Sequence, residues 1–172
     1  MKILIAVASK HDSTGEIGRS IAETVGARGH GATVTKPDLV EAVHTYDAII
    51  VGSAVYAGHW MKTAVEFVDR FSEHLAQRPV WLFSSGPIGD PPKPEEDPVD
   101  VAHVLAATGA HDHRLFAGKL DKSKLSFPER AIVGALRAPY GDFRDWDEIG
   151  RWAEVIADHL TSSYSDAGKS SP

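Results

Sequence analysis

The sequence predicts an α/β fold, a doubly wound sheet of five parallel strands in the order 2-1-3-4-5 with helices on both faces. Two observations predict it. Short aliphatic runs without a polar face alternate with segments of helical periodicity, as parallel strands buried on both sides do. That alternation requires right-handed crossovers, which place the connecting helices on the two sides of one sheet.

The first strand is Lys2 to Ala8, a nearly unbroken apolar run. Thr14 to Arg28 follows with Ile17, Ile21, Ala22 and Val25 at helical spacing, and Gly29 to Gly31 ends it. Ala32 to Thr35 is a short strand, and Ala48 to Gly52 a buried one. Between Met61 and Leu75, Ala64, Val65, Phe67, Val68 and Phe71 mark an amphipathic helix. Pro79 to Phe83 is the fourth strand, and Gly86 to Pro98, rich in proline and acid, an irregular loop. Val99 to Ala107 forms a helix and His113 to Ala117 the last strand. The final helix runs from Asp145 to Leu160, with Trp146, Ile149, Trp152, Ala153 and Ile156 turned inward.

The 172 residues suit one domain over 1–161, with the small polar residues 162–172 expected to be disordered. Hydrophobic residues at 42% and charged residues at 24% fit a soluble globular protein, and no apolar run is long enough to span a bilayer. Met1 to Val7 lacks the sustained apolar core of a signal peptide, so a cytoplasmic location is expected. The absence of cysteine excludes disulfides, iron–sulfur clusters and thiol redox chemistry, so a redox role needs a borrowed cofactor. A net charge of −6 argues against general nucleic-acid binding.

In sheets of this order, ligands bind beyond the carboxyl ends of the strands where the winding reverses. Three loops lie there. The first, Ser9-Lys10-His11-Asp12-Ser13-Thr14-Gly15, joins the first strand to a helix N-terminus and offers three hydroxyls, an imidazole and a run of N–H groups. That set suits a phosphate. Ordinary capping by Ser13 or Thr14, with Glu16 in the first turn, needs only one hydroxyl. Neither a P-loop nor a Gly-x-Gly-x-x-Gly fingerprint is present, which favours a mononucleotide phosphate over ATP or NAD. The second loop, Ser53 to Trp60, has small residues that admit a flat ring, with Tyr56 and Trp60 available to stack on it. For Trp60, packing in the core is an equal alternative. The third, Ser84-Ser85-Gly86-Pro87, offers hydroxyls and N–H groups across the crevice.

Four segments resemble the flavodoxin superfamily, with the nearest likeness to flavodoxin-type menaquinone-dependent protoporphyrinogen oxidases and their actinobacterial relatives. They are Ser9 to Ile17, Val51 to Trp60, Leu82 to Pro87, and Phe116 to Leu120 followed by Asp145-Trp146. The resemblance implies a flavodoxin-like fold binding FMN, with a deazaflavin as the alternative cofactor. It assigns Ser9, His11, Ser13 and Thr14 to the phosphate, with Lys10 and Asp12 completing that loop. Ser53, Ala54, Val55, Tyr56, Ala57 and Gly58, together with Ser84, Ser85, Gly86 and Pro87, would flank the isoalloxazine. It assigns no catalytic residue. Asp12 departs from the small residue or glycine expected there, and Gly15 loosens the first helical turn.

Residues 119–144 form an insertion before the last helix, mixing Lys119, Lys122, Lys124, Arg130, Arg137 and Arg144 with Phe127, Ile132, Val133 and Leu136. Two readings stand: a solvated helix whose apolar side covers the domain, or a basic amphipathic segment touching a membrane surface, a quinone or an acidic tetrapyrrole. Three functions follow from the resemblance: a flavin-dependent oxidoreductase acting on a small redox substrate, an electron carrier, or a non-catalytic or deazaflavin-binding protein. Carriers of this kind sandwich the flavin between aromatics from both ring loops, and Ser84 to Pro98 contains none, although Asp90, Glu95, Glu96 and Asp97 would suit partner docking. His111 and His113 lack a third ligand, and no Gly-x-Ser-x-Gly elbow is present, so neither a metal centre nor a serine hydrolase is expected.

Overall fold

The computed structural model describes residues 1–89 and 95–167, the last four of them as backbone only. Five parallel strands form the sheet: β1 (Lys2–Ala8), β2 (Gly31–Thr35), β3 (Ala48–Tyr56), β5 (Val80–Ser85) and β6 (Asp112–Phe116). They lie in the order β2-β1-β3-β5-β6, which is the predicted 2-1-3-4-5. The two-residue strand β4 (His59–Trp60) folds back antiparallel on the end of β3. Connecting helices are α1 (Ser13–Ala27), α2 (Lys62–Leu75), α3 (Val101–Thr108) and, after the insertion, α5 (Trp146–Ala167).

The period of two along each strand sorts the core into two layers. Ile3, Ile5, Val7, Ile50 and Phe83 meet Ile17, Ile21 and Val25 of α1 and Ile149, Trp152 and Ile156 of α5. Leu4, Ala6, Ile49, Val51 and Leu82 meet Ala64, Phe67 and Val68 of α2 and Val101 and Val104 of α3 on the other side. Each such large side chain, fully buried, contributes roughly 1.5–3 kcal/mol over its exposed state. Gly52 is part of that packing, because a Cβ there would lie 2.1 Å from the Phe83 ring. Phe83 fills the space, tilted against Phe116 and edge-on to Trp152.

Two expectations change. The helix expected to stop at Leu160 continues to Ala167, so the tail from Ser162 begins as helix; Ser162 and Ser163 donate to the carbonyls of Asp158 and His159 one turn back. Residues 168–172 and the loop residue Asp90 lie outside the described residues. The insertion is an arm: strand β7 (Lys119–Leu120), helix α4 (Phe127–Ala135) and strand β8 (Gly141–Asp142), with β7 and β8 paired antiparallel at its root. Its helix does not cover the core, for no residue of α4 is buried. Among the described residues, no helix is long and apolar enough to cross a membrane.

Candidate functional site

β1, β3 and β5 end at the same edge of the sheet, and the turns beyond them enclose a cavity of about 930 Å³. Of the sixteen residues singled out in the sequence, Ser9, His11, Ser13, Thr14, Ala54, Val55, Tyr56, Ala57, Gly58, Ser85, Gly86 and Pro87 line it. Lys10, Asp12, Ser53 and Ser84 do not.

Lys10 turns to Glu129, with Nζ 2.6 Å from its Oε1, and the other three exceptions each have a cause. Ser53 and Ser84 are strand residues in register with Val51 and Leu82, so they point into the α2/α3 layer. Ser53 Oγ accepts from Met61 N–H at 2.9 Å, at the start of α2. Ser84 Oγ accepts from Trp60 Nε1–H at 2.7 Å and meets His113 Nε2 at 2.8 Å. Trp60 is therefore a core residue and does not present its ring to the cavity. Burial holds His113 below the usual imidazole range, although Asp97 lies 3.3 Å from its Nδ1.

Asp12 occupies the N-cap of α1 in a left-handed conformation, φ 67°, and makes no side-chain capping bond. The alternative reading, with Ser13 or Thr14 as the N-cap, is not realised, because Asp12 holds that position. A left-handed backbone explains why glycine suits this position, and Asp is among the few residues that tolerate it. Its carboxylate turns along the helix to Arg19, at 2.7 Å, and that guanidinium holds it below the usual carboxylate range. Gly15 makes this route open: a Cβ there would lie 2.3 Å from Asp12 Oδ1.

The vacated position at the helix start suits an anion. Ser13 Oγ is buried without a hydrogen-bond partner among the described residues, an expensive state for a hydroxyl. The first N–H groups of α1 have no acceptor within the helix, and its dipole favours negative charge. Glu16 N–H alone is engaged early, with Asp12 C=O at 2.9 Å. This donor set fits a phosphate, and the small residues Ala54, Ala57, Gly58, Ser85 and Gly86 leave backbone free to approach a planar group. Tyr56 is the one Phe, Tyr or Trp among the described lining residues; burial first, and Glu129 second, push its hydroxyl above the usual phenol value.

The arm supplies what sequence reading did not assign to the site. Leu120, Leu125, Ile132, Val133 and Leu136 give the cavity an apolar lining from the arm, to which Val99 and Leu115 add from outside it. The arm's root is tied down where Gly118 N–H donates to Pro87 C=O at 2.6 Å and Phe143 N–H to Gly118 C=O at 3.1 Å. Arg144, buried, donates to Ser13 C=O at 3.0 Å and pairs with Glu16 and Asp142 at 2.6 Å each. The Gly118-Lys119-Leu120 segment was visible as part of a family likeness; the amphipathic spacing of α4 left open whether its apolar side covers the domain or meets a partner. Among the described residues, no group of three or more His, Cys, Asp or Glu is placed to hold a metal ion.

Comparison with known proteins agrees with this architecture. Residues 4–147 match the flavodoxin domain family. A flavodoxin from the domain Archaea superposes with a TM-score of 0.66 at 16% identity, covering 94% of this chain and 99% of that one. Oxidised flavodoxin 2 from Bacillus cereus gives 0.64 at 22% identity, covering 92% and 99%. Rubredoxin oxygen:oxidoreductase from the anaerobe Desulfovibrio gigas gives 0.62 at 16% identity, covering 94% of this chain but 36% of that one. No curated protein matches the sequence significantly. At these identities the structures speak for the fold, while the match over 4–147 speaks for the family: the chain belongs to the flavodoxin domain family.

Proposed function

We propose that the protein is an FMN-dependent oxidoreductase that holds its flavin in the cavity at the carboxyl ends of β1, β3 and β5. The orphaned Ser13 hydroxyl at the start of α1 carries this reading, because it is a buried donor without a partner among the described residues. Ser9, His11, Ser13 and Thr14 would hold the phosphate, and the backbone of 54–58 and 85–87 the ring. Bound flavin supplies hydride or single-electron chemistry, for which the protein provides binding and orientation. A deazaflavin carries the same phosphate and a similar tricycle, and is the alternative cofactor.

The apolar wall of the arm favours an enzyme over a carrier. Ile132, Val133 and Leu136 line the cavity and suit a small, ring-bearing, apolar redox partner such as a quinone or a porphyrinogen. Phe127, Ile132 and Leu136 are 84%, 60% and 73% exposed, and with Lys122, Lys124 and Arg130 nearby they give the arm the character of a peripheral membrane contact. The missing aromatic from the 84–89 and 95–98 walls counts against the ring sandwich of a carrier.

An absorbance and fluorescence titration with FMN, riboflavin and a deazaflavin tests the cofactor reading. Saturable FMN binding, tighter than riboflavin, supports it and calls for turnover assays with quinones and porphyrinogens. Binding of the deazaflavin alone moves the function to that cofactor. Absence of binding by all three removes the oxidoreductase reading.

A further inference from the structure

We propose that Glu129 is a carboxylate latch that competes with the cofactor's phosphate for the first loop, so that loading with FMN unfastens α4. Glu129 Oε1 accepts from Lys10 Nζ at 2.6 Å and lies 3.0 Å from His11 Nε2. Its Oε2 accepts from Ser126 N–H and Oγ–H, both at 2.7 Å, which closes a capping box at the start of α4. Lys10 first, then Ser126, hold the Glu129 carboxyl far below the usual range, so it is an anion throughout the physiological span. Glu129, His11 and Ser13 line the same cavity. An anion from the protein thus already engages Lys10 and His11 of the loop to which the phosphate is assigned.

The arm is built for release at this point. No residue of α4 is buried, and the nearest buried apolar side chain of the arm is Leu125, two residues before the helix. Its fastenings to the first loop are polar: Glu129 to Lys10 and His11, and Lys124 Nζ to His11 C=O at 3.3 Å. The root behaves oppositely, with β7 paired to β8 and Arg144 buried against Ser13 and Glu16. Elements with few buried contacts and exposed polar ties open at low cost. A phosphate in the cavity offers His11 more charge and more acceptor oxygens than a carboxylate, and the two anions repel each other across the loop. FMN and a fastened Glu129 therefore disfavour one another, and each weakens the other by the same factor.

This inference rests on the phosphate assignment, and one experiment separates their failures. Wild type and Glu129→Gln are titrated with FMN and riboflavin, and hydrogen exchange of residues 122–138 is followed with and without FMN. Gln keeps the capping box while removing the charge. The latch predicts that Glu129→Gln binds FMN tighter by roughly threefold to tenfold, with riboflavin unchanged. It also predicts faster exchange in the arm on FMN binding to wild type, and fast exchange in the variant before FMN is added. Unchanged or weaker FMN binding by Glu129→Gln, or an arm whose exchange slows with FMN, overturns the latch. Equal affinity of wild type for FMN and riboflavin instead overturns the phosphate assignment itself.

Discussion

Asp12 and Arg19 form an ion pair at 2.7 Å that runs back along α1 and takes the Asp12 charge away from the cavity. The path crosses Gly15, where a methyl group would collide with Asp12 Oδ1 at 2.3 Å. Gly15→Ala should therefore raise helix stability, by up to about 1 kcal/mol, because the displaced atom is the free end of an exposed side chain. It should also loosen the Asp12–Arg19 pair and weaken FMN binding by freeing a carboxylate beside the loop proposed to hold the phosphate. Adding Asp12→Gly, which suits φ 67° and removes that charge, should restore affinity. Thermal melts and FMN titrations on both variants check this; a single variant with unaltered affinity defeats it.

Ser13 predicts opposite signs for stability and binding. Removing a buried hydroxyl that has no partner relieves a desolvation cost, so Ser13→Ala should leave the ligand-free protein as stable as wild type or more so, by up to about 1 kcal/mol. The same change should weaken FMN binding, and Ser13→Ala with Thr14→Ala by roughly 1–3 kcal/mol, while riboflavin binding stays constant. Urea unfolding without ligand and fluorescence titration with it give the two readouts. A loss of stability in the ligand-free single variant would show that the hydroxyl has a partner after all.

These residues show how much of the site the sequence displayed. The sheet order and both helical layers were legible, because buried parallel strands read as aliphatic runs and α1, α2 and α5 carry strong periodicity. The three loops were legible from their hydroxyls and small residues. Side-chain direction was not. β3 and β5 extend two or more residues past their apolar runs, so Ser53 and Ser84, read as loop residues, obey the strand period and point inward. Asp12 was visible as an odd residue for its place, but its left-handed backbone and its Arg19 partner are facts of three dimensions. The arm was furthest from reach: amphipathic spacing at Phe127 to Leu136 suggests a packed face, whereas the packing is against a cavity, and Glu129 reaches a loop 119 residues earlier in the chain.

Ser84 is a structural centre for the far wall of the site. It joins Trp60 from β4 and His113 from β6 across the end of β5. Ser84→Ala should cost roughly 1–3 kcal/mol, since the Trp60 N–H and the His113 nitrogen lose their partner in a dry environment. Trp60→Phe should cost more through lost packing, yet keep the Ser84–His113 contact. Chemical denaturation of both variants measures the costs. A Ser84→Ala protein as stable as wild type would mean that water or a rotated His113 replaces the hydroxyl.

His113 gives the protein an acid-sensitive limb of stability. Its ring is buried against Ser84 with Asp97 outside it, and burial keeps its folded value below the ordinary 6.5. The unfolded chain then takes up a proton near pH 6.5 that the folded chain refuses until lower pH. The stabilisation is therefore complete above pH 6.5 and is lost as pH falls toward the folded value. His111, lowered by burial and by the neighbouring His159, adds to the same limb with the same sign. Urea midpoints measured between pH 5 and 8 should decline on the acid side for wild type. They should decline less for His113→Gln, which keeps a polar group facing Ser84 but cannot titrate. Parallel declines in the two proteins would exclude His113 as the titrating group and leave His111 and the carboxylates to account for the slope.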